Sequence, residues 1–108
     1  MTVIRLTTEE MADVNDTAGV TEGHDSFASM VVYQLFGTWQ GTVTFENTLN
    51  NTDWDSIRAE NLSTGTLATT TTANGTFRID ASGLFKTRAR FSTDTSGTVK
   101  VQTIWVIG

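Results

Sequence analysis

The stretch Gly37-Thr38-Trp39-Gln40-Gly41-Thr42-Val43-Thr44-Phe45-Glu46 decides the fold. Its second half alternates without a fault. Val43 and Phe45 fall on one side and Thr42, Thr44 and Glu46 on the other, the period of two that marks a half-buried strand. The two glycines bracket a turn that launches it. Just upstream, residues 27–36 are apolar on both sides: Phe27, Val31, Tyr33 and Leu35 point one way, Ala28, Met30, Val32 and Phe36 the other. A strand of that kind is either central in its sheet or covered on its second face by another subunit.

Downstream, strands and turn signals alternate at roughly ten-residue spacing, the pattern of a sandwich or barrel. The polar run 47–53 makes a loop, and residues 54–60 form a strand with Ile57 and Ala59 inward. A weak strand over 66–72 leads to Asn74-Gly75, a two-residue hairpin signal because both residues tolerate positive φ. Residues 76–81 then place Phe77 and Ile79 inward and Arg78 and Asp80 outward. After Ser82-Gly83, residues 85–91 set Phe85, Ala89 and Phe91 inward against Lys86, Arg88 and Arg90 outward. Residues 94–97 turn into a last strand over 98–107. There Val99 and Val101 share a face, but Ile104, Trp105, Val106 and Ile107 are apolar without a break, which calls for a bulge or burial on both sides. The expectation is an all-β, antiparallel two-sheet sandwich, jelly-roll-like, with about seven to nine short strands over residues 27–108.

Residues 1–26 read differently. A strand is expected at 2–6, followed by an acidic arm or loop, because residues 7–26 hold six of the twelve acids and no Lys or Arg. Thr7 and Glu10 fit a capping box, enough for one helical turn around residues 9–14 but with too few apolar positions to sustain a helix.

Composition narrows the function. The 108 residues suffice for one domain with its own core. Cysteine is absent, which excludes disulfide scaffolds and thiolate metal sites. A net charge of −5 argues against nucleic acid, whose phosphates demand clustered cations. Thr supplies 22 residues and Pro none, a balance that favours pleated strands over helices. Residues 1–6 turn polar too soon for a signal peptide, and no apolar run is long enough for a membrane span. The chain is therefore expected in the cytoplasm or in a particle assembled there.

The segment 37–46, its loop and Trp54, with Gly83-Leu84-Phe85-Lys86-Thr87-Arg88-Ala89-Arg90 and Ser96-Gly97-Thr98-Val99-Lys100-Val101, resembles a pattern of small virion proteins of tailed bacteriophages. The resemblance spans about residues 28–106. One departure is the loop 47–53, which lacks the Gly the pattern carries before the Trp; Asn50 and Asn51 can adopt left-handed conformations in its place. The resemblance implies a virion structural protein of the capsid decoration (cement) type. It also implies a homotrimer bound to the major capsid protein on the capsid surface, reinforcing the head. A carbohydrate-binding, host-adhesion or baseplate module of the tail is the alternative.

The residues that would serve these roles can be named. Val3, Ile4 and Leu6 of the N-terminal strand, with Lys86, Arg88 and Arg90, are candidate contacts to the capsid or to neighbouring subunits. Three cations on one strand face repel unless acids lie opposite, so they either pair with Glu46 or Asp80 or dock onto a neighbour, whose acidic arm is one such complement. Tyr33, Trp39 and Trp54 are the candidate glycan platform; otherwise the two tryptophans cap the ends of the core. No catalytic set, metal site or cofactor site is expected. Asp53 and Asp55 flank Trp54 but sit among turn-forming Asn and Thr. Residues 13–24 lack the Gly and Glu of a calcium loop. His24 is the only histidine.

Overall fold

The computed structural model describes residues 2–21, 28–82 and 84–107. The described residues contain no helix, and so none long and apolar enough to cross a membrane. Twelve strands follow in order: β1 (Thr2–Arg5), β2 (Glu9–Met11), β3 (Thr17–Ala18), β4 (Ala28–Phe36), β5 (Trp39–Thr48) and β6 (Asp55–Ser56), then β7 (Ala59–Asn61), β8 (Leu67–Ala68), β9 (Thr70–Thr71), β10 (Gly75–Asp80), β11 (Lys86–Gly97) and β12 (Val99–Ile107). They form two antiparallel sheets. The first runs β1-β12-β4-β10-β7-β8, with β2 also on β12; the second runs β3-β11-β5-β6, with β9 also on β5. The fold is therefore the expected all-β, two-sheet sandwich. Nine of the twelve strands, β4–β12, lie in the range 27–108, within the seven to nine expected there, and two of the predicted strands are split.

The splits have a common cause: the chain changes sheet in mid-stretch. Residues 54–60 divide into β6 on the second sheet and β7 on the first, with half-buried Ile57 between them. Residues 66–72 divide likewise, β8 pairing with β7 and β9 with β5. The predicted turn at 37–41 is also a change of sheet, from β4 to β5. It lies beside the change from β11 to β12, where the Thr98 amide donates to the Thr38 carbonyl (3.3 Å). Gly97 holds this corner at φ +83°, and a Cβ there would sit 2.3 Å from the Thr38 carbonyl oxygen. Asn74-Gly75 is not the expected positive-φ hairpin, since neither residue takes that conformation. Asn51 does, at φ 65°, in the loop that lacks glycine.

Between the sheets lies one core. Val31, Tyr33 and Leu35 of β4, Phe77 and Ile79 of β10, and Val99, Val101 and Trp105 of β12 meet Val43 and Phe45 of β5 and Ala89 and Phe91 of β11. The ring of Phe45 spans the gap, 6.1 Å from Tyr33 and 5.1 Å from Phe77 between centroids. In β12 the alternation holds as far as Trp105, which is buried while Ile104 faces out. The expected bulge falls between Val106 and Ile107.

The acidic N-terminal stretch is not an arm over its described part, residues 7–21, and no helical turn forms at 9–14. β1 and β2 both pair with β12, and β3 pairs with β11, so the segment edges both sheets. Met11 and Ala18 are fully buried. Residues 22–27 lie outside the described residues, His24 and Phe27 among them.

Candidate functional site

The cationic ladder forms one half of an ion cluster on the outer face of the second sheet. Antiparallel register sets Arg88 opposite Glu46 and Arg90 opposite Thr44, one diagonal step away. Direct and diagonal neighbours on a sheet face are within reach of long side chains. Arg88 Nε donates to Glu46 Oε1 (2.9 Å) and Arg90 Nε to Glu46 Oε2 (3.0 Å). Glu46 is only 5% exposed, so its carboxylate depends on these two partners. The Trp54 ring covers the cluster, with the Arg88 guanidinium carbon 3.8 Å from its centroid. Asn15, at φ 71°, turns its Oδ1 onto Arg90 Nη1 (2.8 Å). Lys86 stands apart, its Nζ 5.2 Å from the centre of the Phe85 ring.

This arrangement settles how Arg88 and Arg90 spend their charge: both answer a buried acid of their own sheet. Asp80, the other expected partner, lies on the first sheet. Trp54 is engaged from one side by Arg88.

The three aromatic candidates do not converge. Tyr33 is buried in the core, where its hydroxyl donates to the Gly19 carbonyl (2.8 Å) and lies 3.0 Å from that of Thr87. Burial pushes its phenol well above the ordinary tyrosine range, the Thr87 hydrogen bond opposes this, and nearby Glu9 adds to it. A sugar cannot stack on it. Trp39 sits half-buried at the open end of the sandwich, edge-on to Phe91 at 5.8 Å. Its Nε1 donates to Asn74 Oδ1 (2.6 Å), while Asn74 Nδ2 donates to the Gly37 carbonyl (2.9 Å). Thus Asn74 ties two loops together through its side chain.

The N-terminal candidates also part. Val3 is 55% exposed, whereas Ile4 and Leu6 pack against the core. Leu6 is held further by its amide, which donates to the Thr103 carbonyl (3.0 Å).

Three of the aspartates serve turns and strand ends. Asp16 Oδ2 accepts from the amides of Ala12 and Asp13, Asp53 Oδ2 from Asn50 Nδ2, and Asp80 Oδ1 from the Ser82 amide. Among the described residues no three His, Cys, Asp or Glu side chains gather where they could hold a metal ion.

A second surface contains only Val3 of the candidate residues. On the outer face of the first sheet, register aligns Val3, Val106, Met30 and Asp80 in one row. The adjacent row is Arg5, Ile104, Val32, Arg78, Glu60 and Leu67. Met30 (40%), Ile104 (37%) and Leu67 (56%) are exposed. An open groove of about 700 Å³ borders the rows, lined by Met30, Leu67, Arg58, Glu60, Arg78 and Asp80. Arg78 is ion-paired with Glu60 there. The signal was present in the two-sided apolar pattern of residues 28–36 and of 104–107.

No family model and no curated protein sequence matches the chain. Among solved structures it is similar to the SPBc2 prophage-derived protein YomS, with a TM-score of 0.68 and 17% identity, covering 97% of this chain and 96% of that one. It is also similar to the PBSX exported protein XepA, with a TM-score of 0.72 and 17% identity, over 94% of this chain but only 38% of that one. At such identity the likeness is one of fold: the same sandwich stands alone in one protein and forms part of a longer chain in the other.

Proposed function

We propose that this chain is a non-enzymatic structural module of a bacteriophage particle, a capsid decoration protein that binds the major capsid protein and reinforces the head. The observation that carries the phage setting is the end-to-end match of its fold to a prophage-derived protein. The recurrence of the unit inside a longer prophage protein suits a modular building block. The reading as a non-enzyme draws on the site chemistry, because Asp16 and Asp53 are engaged in turns and Glu46 in its ion cluster. The decoration role draws on the sequence resemblance and on a broad outer sheet face suited to protein contact. Of the residues first named for that contact, Val3 is the one whose exposure favours it.

The test is to add purified, fluorescently labelled protein to particles lacking it and to locate it by cryo-electron microscopy. Saturable density on the head supports decoration. Density confined to the tail, or no binding, overturns it. The glycan reading is disfavoured by the burial of Tyr33 and by the Arg88 contact on Trp54.

A further inference from the structure

We propose that the outer face of the first sheet packs against the same face of a second copy, each strand crossing its own counterpart antiparallel about a two-fold axis. This goes beyond the capsid reading and does not rest on it.

The first ground is unpartnered apolar surface. Val3, Met30 and Ile104 are exposed, and Val32 and Val106 are only half-buried, in two adjacent rows across three paired strands. Contiguous apolar surface of this kind marks contact sites. Residues 30–33 of β4 and 104–107 of β12 are apolar on both sides, and the described residues cover only one.

The second ground is charge, and it selects the occupant. A net charge of −5 makes two copies repel wherever their acidic surfaces meet. The groove on this face is balanced instead, with Arg58 and Arg78 against Glu60 and Asp80. In an isologous interface, residue i meets j while j meets i. A two-fold axis lying across the strands, between the two rows, exchanges them. Asp80 of one copy then faces Arg78 of the other, twice, at the same strand. Met30 faces Val32, and Val106 faces Ile104. Within its own chain, Asp80 is bound to the Ser82 amide on a single oxygen, which leaves the other for a partner arginine. Arg78 is 44% exposed at its side chain despite its pairing with Glu60.

The third ground is size. Strands β1, β12, β4, β10 and β7 hold 31 residues, which at about 3.4 Å per residue and about 4.8 Å between strands present a face of roughly 500 Å² in projection, and more in accessible area. A standard interface takes about 800 Å² per partner. The arrangement is a dimer, not the trimer that the sequence resemblance implies.

Sedimentation equilibrium of the full chain tests it. The expected result is a dimer, which Ile104→Lys and Met30→Lys each weaken at least about tenfold while far-UV circular dichroism and thermal midpoint stay near those of the native chain. Should either variant fail to fold, Val3→Lys, at an exposed position of the edge strand, makes the same test. A monomer at about 100 μM, a trimer, or a dimer indifferent to these changes overturns the proposal. Register is tested separately, since the chain has no cysteine of its own. A mixture of Arg78→Cys and Asp80→Cys proteins treated with a short thiol cross-linker should give the mixed dimer in excess over either self-linked one. Yields no better than random pairing overturn the two-fold placement.

Discussion

The Tyr33 hydroxyl donates to the carbonyl oxygen of Gly19 at 2.8 Å, joining the middle of β4 to the end of the N-terminal segment. Around that bond the segment is locked in. The Gly19 amide donates to Glu9 Oε1 (3.1 Å). Thr21 and Thr87 bond each other twice, through the Thr21 amide to the Thr87 carbonyl and through the Thr87 amide to the Thr21 hydroxyl, both at 3.0 Å. Acids that looked like a free arm in sequence are thus partly structural.

Tyr33→Phe leaves the Gly19 carbonyl without its donor and should cost about 1–2 kcal/mol in urea unfolding. The chain has a single tyrosine, so tyrosinate absorbance reports this residue alone. Its folded pKa lies above the unfolded value of about 10. The stability gained from keeping the phenol protonated is therefore fully present below pH 10 and declines as pH rises above it. Absorbance should rise together with loss of the fold, not ahead of it, and Phe at this position should flatten the alkaline decline.

Gly19→Ala should be more damaging, at about 3 kcal/mol or more. Gly19 has φ +67°, and a Cβ there would lie 2.2 Å from Tyr33 Cε1 and 2.5 Å from Thr103 Oγ1. Left-handed backbone costs a side chain about 1–2 kcal/mol, and overpacking about 1–3 kcal/mol. Thermal unfolding of the variant beside Gly65→Ala, also at positive φ (+74°) but with open space around it, separates the clash from the backbone term.

Removing the buried acid of the ion cluster leaves two partly buried cations facing each other. Glu46→Ala should cost about 2–4 kcal/mol, more than Arg88→Ala or Arg90→Ala, each of which leaves one partner in place. Trp54→Ala should cost about 1 kcal/mol through the lost cation–π contact and packing. Lys86→Ala should stay within about 0.5 kcal/mol of the native chain. Chemical denaturation of the five variants gives the order, and equal losses for Glu46 and Lys86 would contradict the cluster.

Deleting residues 1–25 should abolish cooperative folding. The deletion takes away β1, β2 and β3 together with buried Met11, Ala18 and Thr21, and it exposes the edges of β12 and β11. Loss of the sharp thermal transition is the expected result. A truncated chain that melts like the native one would show the segment to be dispensable.

Much of this was legible in the sequence. Alternation at residues 42–46, 76–81 and 85–91 is a local property, and each run folds as a strand with most of its expected inward residues buried. The outward placing of the cations and of Glu46 and Asp80 was readable too, but the choice of Glu46 came from the register of β11 on β5. The acidic N-terminal stretch misled, since strands of two or three residues carry no detectable period. Asn74-Gly75 misled for a different reason: its asparagine is used through its side chain, on Trp39 and Gly37, where turn propensities consider only the backbone.

What the sequence determined by itself is which positions lie in strands and which faces are apolar, because side-chain alternation depends on nothing beyond the chain's own pleat. Which sheet each strand joins was decided only in three dimensions, as in the division of residues 54–60 between β6 and β7. Tertiary structure also decided that Tyr33 is core rather than platform, and that Glu46, polar and nominally outward, is buried beneath Trp54 and two arginines. Pairing and burial depend on partners distant in sequence, and no local pattern encodes which of them arrives.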